Sequence, residues 1–423
     1  MSKPIHQHRI NNNGLASSDG RLFVNQKTAA ITDLSNVRLL RCAVDTVRQL
    51  YRGKIKPEVF DLFESPGLVR LGTYDFHAGR IGRDSGYQYR LQNADLGIIL
   101  LIKNFNVKET DNGPHLKIEV SPHTIENHTP ENLQKFLDSF AGLVLDDFAY
   151  NQVAIHMALD VQGWQPSNDI VARMQCRSKR VRDISGISSF DFAADSTVYG
   201  KNQSFMWGSA GGVQLAIYNK TLQAKTTDKL DFWSSLWSQA YSDLDTPMYN
   251  PEETVWRIEL RYHHSVVQQF AEGSVNTHTG ECIYTRSFAE FAPHLDGLWS
   301  YGFDAFKLLE QKGLFDAAWS LFAHDANVQT GADSLIDETH YKRYYKTAAG
   351  FSGKNVELFM GNFISLLARE RVGAKKAFQR LKEWECWPVI KEHFENKDQS
   401  ERDIYNWIRD KLIERTVRWG VAI

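Results

Sequence analysis

From Tyr87 onward, apolar and polar residues alternate with the period of two that marks half-buried strands. Three such runs, YQYRLQ, LGIILLIK and HLKIEVS, are separated by the turn-favouring residues Asn93, Asp95, Asp111, Asn112 and Gly113. Successive side chains of a strand point to opposite faces, so the third run sets Leu116, Ile118 and Val120 against His115, Lys117, Glu119 and Ser121. Over 152–161, Val153, Ile155, Met157 and Leu159 oppose His156, Ala158 and Asp160. Two later runs repeat the design. Val213, Leu215 and Ile217 oppose Gln214, Ala216, Tyr218 and Lys220; Trp256, Ile258 and Leu260 oppose Arg257, Glu259 and Arg261. The pattern predicts an α+β fold built on an antiparallel sheet of about five strands, one face apolar and covered by helices. Tyr218, Lys220, Arg257, Glu259, Asp160, His156 and Glu119 would share the other face, where Ala154, Ala158 and Ala216 leave room for a ligand.

Helical spacing accounts for most of the rest. Pro130 opens a predicted helix over 131–145 with Leu133, Phe136, Leu137, Phe140 and Leu143 as its stripe. The segment DFWSSLWSQAYSDL reads as a helix with Phe232, Leu236 and Tyr241 inward. Over 34–51, Val37, Leu40, Val44, Val47 and Tyr51 recur at helical intervals and predict an amphipathic helix with Arg38, Arg41, Arg48 and Arg52 largely elsewhere. Residues 1–33 lack periodicity and read as a disordered tail. Beyond His264 the chain reads as predominantly helical, and its last helix starts from a capping box at Ser400 and Asp403 with Ile404, Trp407, Ile408 and Leu412 on one face. The expected organisation is a tail (1–33), an N-terminal helical segment (34–85), an α+β catalytic domain (86–292) and a helical C-terminal domain (293–423).

A hydrophobic content of 42% supports packed cores. The apolar run at 96–102 falls far short of the roughly 20 residues of a membrane helix. MSKPIHQHRINNNG has no apolar signal core, so a cytoplasmic location without membrane contact is expected. Cys42, Cys176, Cys282 and Cys386 lack metal-ligand spacing and read as reduced thiols. With a net charge of −2, nucleic-acid binding would require local basic patches. RMQCRSKRVRD supplies one with Arg173, Arg177, Lys179, Arg180 and Arg182; the stretch 342–382, including Lys375, Lys376 and Arg380, supplies another. The first is equally readable as a solvated basic loop, whereas the excess of the second exceeds accident and suits duplex DNA; Glu259 between Arg257 and Arg261 is also readable as a simple ion pair.

WGSAGGVQLAIYNKT followed by VWRIELR resembles the replication initiation factor family of rolling-circle plasmids and filamentous phages. In that family a Gly-Ser turn leads into a strand ending Tyr-(Asn/Asp)-Lys, and a later strand reads Arg-hydrophobic-Glu. Gly208, Ser209, Tyr218, Asn219, Lys220, Arg257 and Glu259 match. The family's Arg-x-Asp followed by a second Asp falls on AIHMALD, where Asp160 matches but His156 replaces the first Asp and Ala154 the Arg. The resemblance spans residues 87–271 and implies a nicking-domain-like fold and an origin-nicking and joining enzyme.

As the resemblance implies, Tyr218 would attack one strand at the double-strand origin of its own replicon, keep the 5′ phosphate and leave a 3′ hydroxyl for a host polymerase. A host helicase would then unwind the duplex, and closure would release a single-stranded circle. A phenol with a pKa of about 10 needs help to attack. Mg²⁺ or Mn²⁺ held among Glu259, Asp160, His156 and Glu119, with Lys220 and Arg257 as cations, would supply it. Tyr345 and Tyr341 in YKRYYK are alternative nucleophiles, because other rolling-circle initiators carry theirs on a helix; those proteins pair it with a His-hydrophobic-His motif that this sequence lacks. A non-catalytic origin-binding or regulatory protein, or a metal-dependent nuclease without a covalent intermediate, remains open on the same residues.

Overall fold

The computed structural model describes residues 3–64, 67–81, 86–103, 113–176, 181–182, 203–239, 249–328, 339–343, 353–395, 397 and 399–420. The chain divides into two compact units, 1–341 and 342–423.

The first 33 residues are not a disordered tail. Strands β1 (His8–Ile10), β2 (Leu22–Val24) and β3 (Ile31–Asp33) form a small antiparallel sheet. Phe23 on it is fully buried, and polar contacts fix it to the later chain: Arg9 pairs with Asp325 at 2.6 Å and Asn25 donates to Glu310 at 2.8 Å. Strands of three residues held by side-chain hydrogen bonds leave no hydrophobic period to read.

The predicted helix over 34–51 is instead the long strand β4 (Arg38–Ile55). Helix α1 (Pro57–Asp61) and strands β5 (Gly67–Leu71), β6 (Tyr74–Arg80), β7 (Tyr89–Asn93), β8 (Ile98–Ile102) and β9 (Leu116–Val120) follow. The chain continues through α2 (Pro122–Ile125), α3 (Pro130–Val144), β10 (Leu145–Gln162), α4 (Ile170–Arg173), β11 (Met174–Cys176), β12 (Val181–Arg182) and β13 (Ser204–Gly208). Next come β14 (Val213–Asn219), α5 (Lys220–Thr226), α6 (Leu230–Trp237), β15 (Trp256–Tyr262) and α7 (His264–Gly273). The central sheet is fully antiparallel in the order β12-β13-β14-β15-β10-β4-β9-β8-β7-β6-β5. It is wider than five strands because β4 joins the β5–β9 meander to the β10–β15 half.

Pairing of β4 with β10 explains why its sequence imitates a helix. The register slips between His156/Met157 and between Asp160/Val161, leaving Asp45 and Leu40 as extra residues on β4. Each slip is a β-bulge, which places two successive side chains on the same face. The residues of β4 in the main apolar core, Leu39, Cys42, Val44, Val47 and Tyr51, are therefore spaced by threes as well as twos. Successive steps of three, two, three and four pass for a helical period.

Beneath the sheet, α3 buries Leu133, Leu137, Phe140 and Val144 as its amphipathic pattern requires. Beyond α7 lie β16 (Val275–Asn276), α8 (Phe288–Phe291), α9 (Leu295–Ala305), β17 (Phe306–Gln311), β18 (Leu314–Phe315), α10 (Ala317–Asp325) and β19 (Thr339–His340). These belong to the first unit: β17 pairs with β11, and Trp299, Phe303 and Trp319 join the core of the sheet. The expected boundary near 292 therefore moves to 341/342. Among the described residues the second unit is helical, with α11 (Gly353–Arg369), α12 (Ala374–Lys382), α13 (Trp387–Glu395) and α14 (Glu401–Gly420) around Met360, Ile364, Leu381, Ile404 and Ile408. Ser400 and Asp403 cap α14 reciprocally, Ser400 N–H to Asp403 Oδ2 at 2.9 Å and Asp403 N–H to Ser400 Oγ at 3.4 Å.

Candidate active site on the polar sheet face

Strand alternation delivers the expected side chains to one surface. Across β10, β15 and β14 the register aligns Asp160 with Arg257 and Tyr218, and Ala158 with Glu259 and Ala216. The bulge adds Asp45 and Thr46 from β4, and helix α6 lies across part of this face with Trp233 and Trp237 turned inward. Phe232 and Leu236 sit at the edge of that packing rather than at its centre, and Tyr241 lies outside the described residues.

The face is enclosed. Asp160, Arg257 and Glu259 have no exposed surface, and Tyr218 keeps 5%. Buried charges persist only when paired and hydrogen-bonded. Arg257 meets Asp160 with two hydrogen bonds, Nε to Oδ1 at 2.6 Å and Nη2 to Oδ2 at 2.7 Å, and gives Nη1 to Asp45. Trp237 Nε1 donates to Asp160 Oδ2 at 2.8 Å. Arg261 donates to Glu259 at 2.9 and 3.2 Å, and the Tyr218 hydroxyl donates to Glu259 Oε2 at 3.0 Å. Arg48 holds Glu119 at 2.7 Å and reaches His156 Nε2 at 3.3 Å.

These neighbours set the protonation states. Burial works against the charge of Asp160, but Arg257 outweighs it and holds the carboxyl below its ordinary range. Glu259 is likewise opposed by burial yet held well below that range, chiefly by Arg261. Burial, then Arg48, lowers His156 and keeps its imidazole neutral. Lys220 does not continue the strand: Asn219 ends β14 and caps α5 by accepting from Leu222 N–H at 2.8 Å, so Lys220 is the first residue of that helix. Its buried ammonium donates to Gln223 at 2.7 Å and lies 4.0 Å from the centre of the Trp233 ring. Burial, then the charge of Arg257, lowers it to about 7.

Of the four expected metal ligands, the fold brings Glu259 and His156 together with Asp45, which the sequence reading placed on a helix. One ligand atom from each lies within 4.8 Å of the others. His156 Nδ1 is 3.1 Å from Glu259 Oε1 yet off the line of a hydrogen bond, a buried ring nitrogen without a hydrogen-bond partner. Two carboxylates and an imidazole with an open nitrogen suit Mn²⁺ or Mg²⁺. Asp160 and Glu119 lie outside this trio and pair with Arg257 and Arg48, as Asp45 and Glu259 within it pair with Arg257 and Arg261. Asp45 was readable only by recognising the bulge.

The basic candidates separate. Arg173 is structural, bonded to the Leu309 carbonyl at 2.8 Å and paired with Asp316, so it ties α4 to β17 instead of facing a ligand. Arg177, Lys179 and Arg180 lie outside the described residues, and Arg182 pairs with Met206 on β13. Lys375 and Lys376 are exposed on α12, whereas Arg380 pairs with Glu370 at 3.3 Å. Tyr341 shares a 2.9 Å hydrogen bond with His294 and packs against the main core; Tyr345 lies outside the described residues.

Fold and site define an α+β protein with a wide antiparallel sheet, a buried tyrosine-carboxylate-histidine cluster on its second face, and a helical C-terminal region. No family model matches the chain. It is 53% identical over 432 residues, covering 100% of both chains, to "Uncharacterized protein ORF430" of Pseudomonas phage Pf1, and it belongs to the family of that phage protein. It is also similar to a solved "Rolling Circle Replication Initiator Protein from Geobacillus stearothermophilus" at 15% identity, over 67% of this chain and 96% of the other, with a TM-score of 0.34. A likeness that distant carries no functional conclusion, which rests on the residues themselves. Among the described residues no helix is long and apolar enough to cross a membrane.

Proposed function

We propose that this protein initiates rolling-circle replication by nicking and rejoining one DNA strand through Tyr218. The observation carrying this reading is the Tyr218 hydroxyl on Glu259 at 3.0 Å, beside His156 and Asp45. The Gly208–Ser209, Tyr218–Lys220 and Arg257–Glu259 pattern, and membership of a phage family, support the biological setting. Tyr218 Oη forms a bond to phosphorus while the bond from phosphorus to the 3′ oxygen breaks. The phenol gives up one proton and the departing 3′ oxygen gains one. A 3′ hydroxyl later reverses the exchange, so joining needs no ATP.

Glu259, kept ionised by Arg261, accepts the phenol's hydrogen bond and fixes its orientation. Arg257 fixes Asp45 and Asp160, and the Lys220 ammonium lies 5.9 Å from the centre of the Tyr218 ring, where it steadies developing phenolate charge. Asp45, His156 and Glu259 would hold Mg²⁺ or Mn²⁺, which when bound neutralises charge on the scissile phosphate. The substrate is the protein's own double-strand origin and the strand displaced from it; a host helicase and polymerase would act on the nick, all in the bacterial cytoplasm.

One observation favours a second reading, a non-catalytic origin binder: Tyr218 is nearly enclosed, and Asp45, Asp160, Glu119 and Glu259 all have arginine partners. The test is incubation with supercoiled DNA of its own replicon and Mn²⁺ or Mg²⁺, then a denaturing gel and peptide mapping of protein-bound strand. A nicked circle with an adduct on Tyr218, absent in Tyr218→Phe while DNA binding persists, is the expected result. Undiminished adduct in Tyr218→Phe overturns the assignment. Specific binding without cutting favours the second reading, and cutting without bound protein indicates a nuclease.

A further inference from the structure

A cavity of about 240 Å³ opens beside the cluster, lined in part by Asp45 and Thr46. Lys220 projects into it from α5, and Phe232 and Trp233 of α6 form one wall. Ser121 and His123, at the junction of β9 and α2, face them, and His123 meets Phe232 edge to face with ring centres 5.7 Å apart. The β7–β8 turn closes the far side at Gly97, whose φ of +61° is left-handed and where a Cβ would fall 2.2 Å from Ser121 Oγ. Glycine there is what lets the two walls approach.

The lining is specific in its chemistry. The touching rings of His123 and Phe232, with Trp233 beside them, give an aromatic surface that suits a flat ring system stacked or edge-on against it. Lys220 is buried, 3% exposed as a residue, and among the described residues its ammonium has Gln223 as its one hydrogen-bond partner, so it retains donors for an anion. Hydroxyls of Thr46 and Ser121 add polar contacts. A flat heteroaromatic ring joined to a phosphate satisfies all three features. Asp45 and Lys220 also belong to the cluster around Tyr218, so such a ligand would lie next to the reacting phosphate.

We propose that this cavity is a subsite for one unpaired nucleotide of the strand being cut, its base against Phe232 and His123 and its phosphate towards Lys220. The assignment rests on the nicking reading for its choice of ligand. A base held outside the duplex anchors the strand on the polar face and selects unpaired over paired DNA, since a paired base cannot reach a side pocket.

The full-length protein, irradiated with a short oligo-dT carrying 5-iododeoxyuridine and then peptide-mapped, tests this directly. Cross-links on Phe232, Trp233 or His123 are expected. Phe232→Ala should weaken oligo-dT binding by about tenfold, the scale of one lost stacking contact. Phe232→Tyr, which keeps the ring, should bind as the wild type does and controls for folding. Free dTMP should compete far less well than the strand. Cross-links confined to other residues, with Phe232→Ala binding within about twofold of wild type, overturn the subsite. Competition by dTMP as strong as by oligo-dT overturns its assignment to a DNA strand. The Tyr218 adduct is read separately: an adduct with a silent Phe232 removes the subsite and keeps the nickase, and binding through Phe232 without any adduct does the reverse.

Discussion

Arg257 has no exposed surface and divides its guanidinium between Asp45 and Asp160. Replacing it with Met strands two buried carboxylates, and breaking such a network costs about 3–5 kcal/mol. Urea unfolding of Arg257→Met should show that loss; a change within error would mean the carboxylates find water. Lys220 acts with the opposite sign. Its folded pKa of about 7 is depressed from 10.5, so between those values the unfolded chain binds more protons and stability rises with pH. Lys220→Met should abolish that rise in melting temperature between pH 7 and 10, whereas parallel pH curves for the two proteins would show that the lysine titrates normally. Tyr218, His156, Asp160 and Glu259 were legible because strict alternation assigns each to a face. Trp233 and Trp237 were not, because a helix of eight residues gives too little period to fix its rotation.

Strand β4 is where the sequence misled, for a physical reason. A bulge breaks alternation, and two bulges spaced as in β4 convert period two into an apparent helical period. The same irregularity delivers Asp45 to the polar face, so one feature hid both the strand and a candidate metal ligand. Deleting Asp45 restores strict alternation through Val44, Thr46 and Val47. The shortened chain is expected to fold with an unchanged circular dichroism spectrum and to lose Mn²⁺ binding, read by electron paramagnetic resonance. Deleting Val47 instead turns the following apolar residues outward and should prevent folding. Equal behaviour of the two deletions would contradict the register. By contrast α3, β7–β9, β14 and β15 were legible nearly to their ends, because each has a single uninterrupted pattern facing one core.

At the level of the whole molecule, the two units carry different electrostatic surfaces. In the first, the charges of the site are internal and largely cancelled by one another; in the second, Lys375 and Lys376 project from α12 without ion-pair partners among the described residues. We propose that α12 contacts duplex phosphates. Lys375→Ala/Lys376→Ala should lower duplex affinity uniformly across sequences and reduce the salt slope by about 2, measured by fluorescence anisotropy, while leaving oligo-dT cross-linking intact. An unchanged slope removes α12 from the interface. The boundary of this unit escaped the sequence because the elements between 292 and 341 read as helices, while their large aromatic residues pack into the sheet's core.

The partnership of β4 with β10 also sets a timetable during synthesis. Ile55 leaves the ribosome roughly a hundred residues before Gln162, which at about 5–20 residues per second is a wait of some 5–20 s. Over that interval the nascent β4 can pair with β9, which touches only its Val47–Tyr51 stretch, while the half carrying Arg41 and Asp45 has no neighbour in the sheet. The strand at the centre of the final sheet thus waits with an open edge through that interval. Slow translation between the β9 and β10 codons would lengthen its exposure, and a chaperone that holds extended apolar segments would have its natural client there.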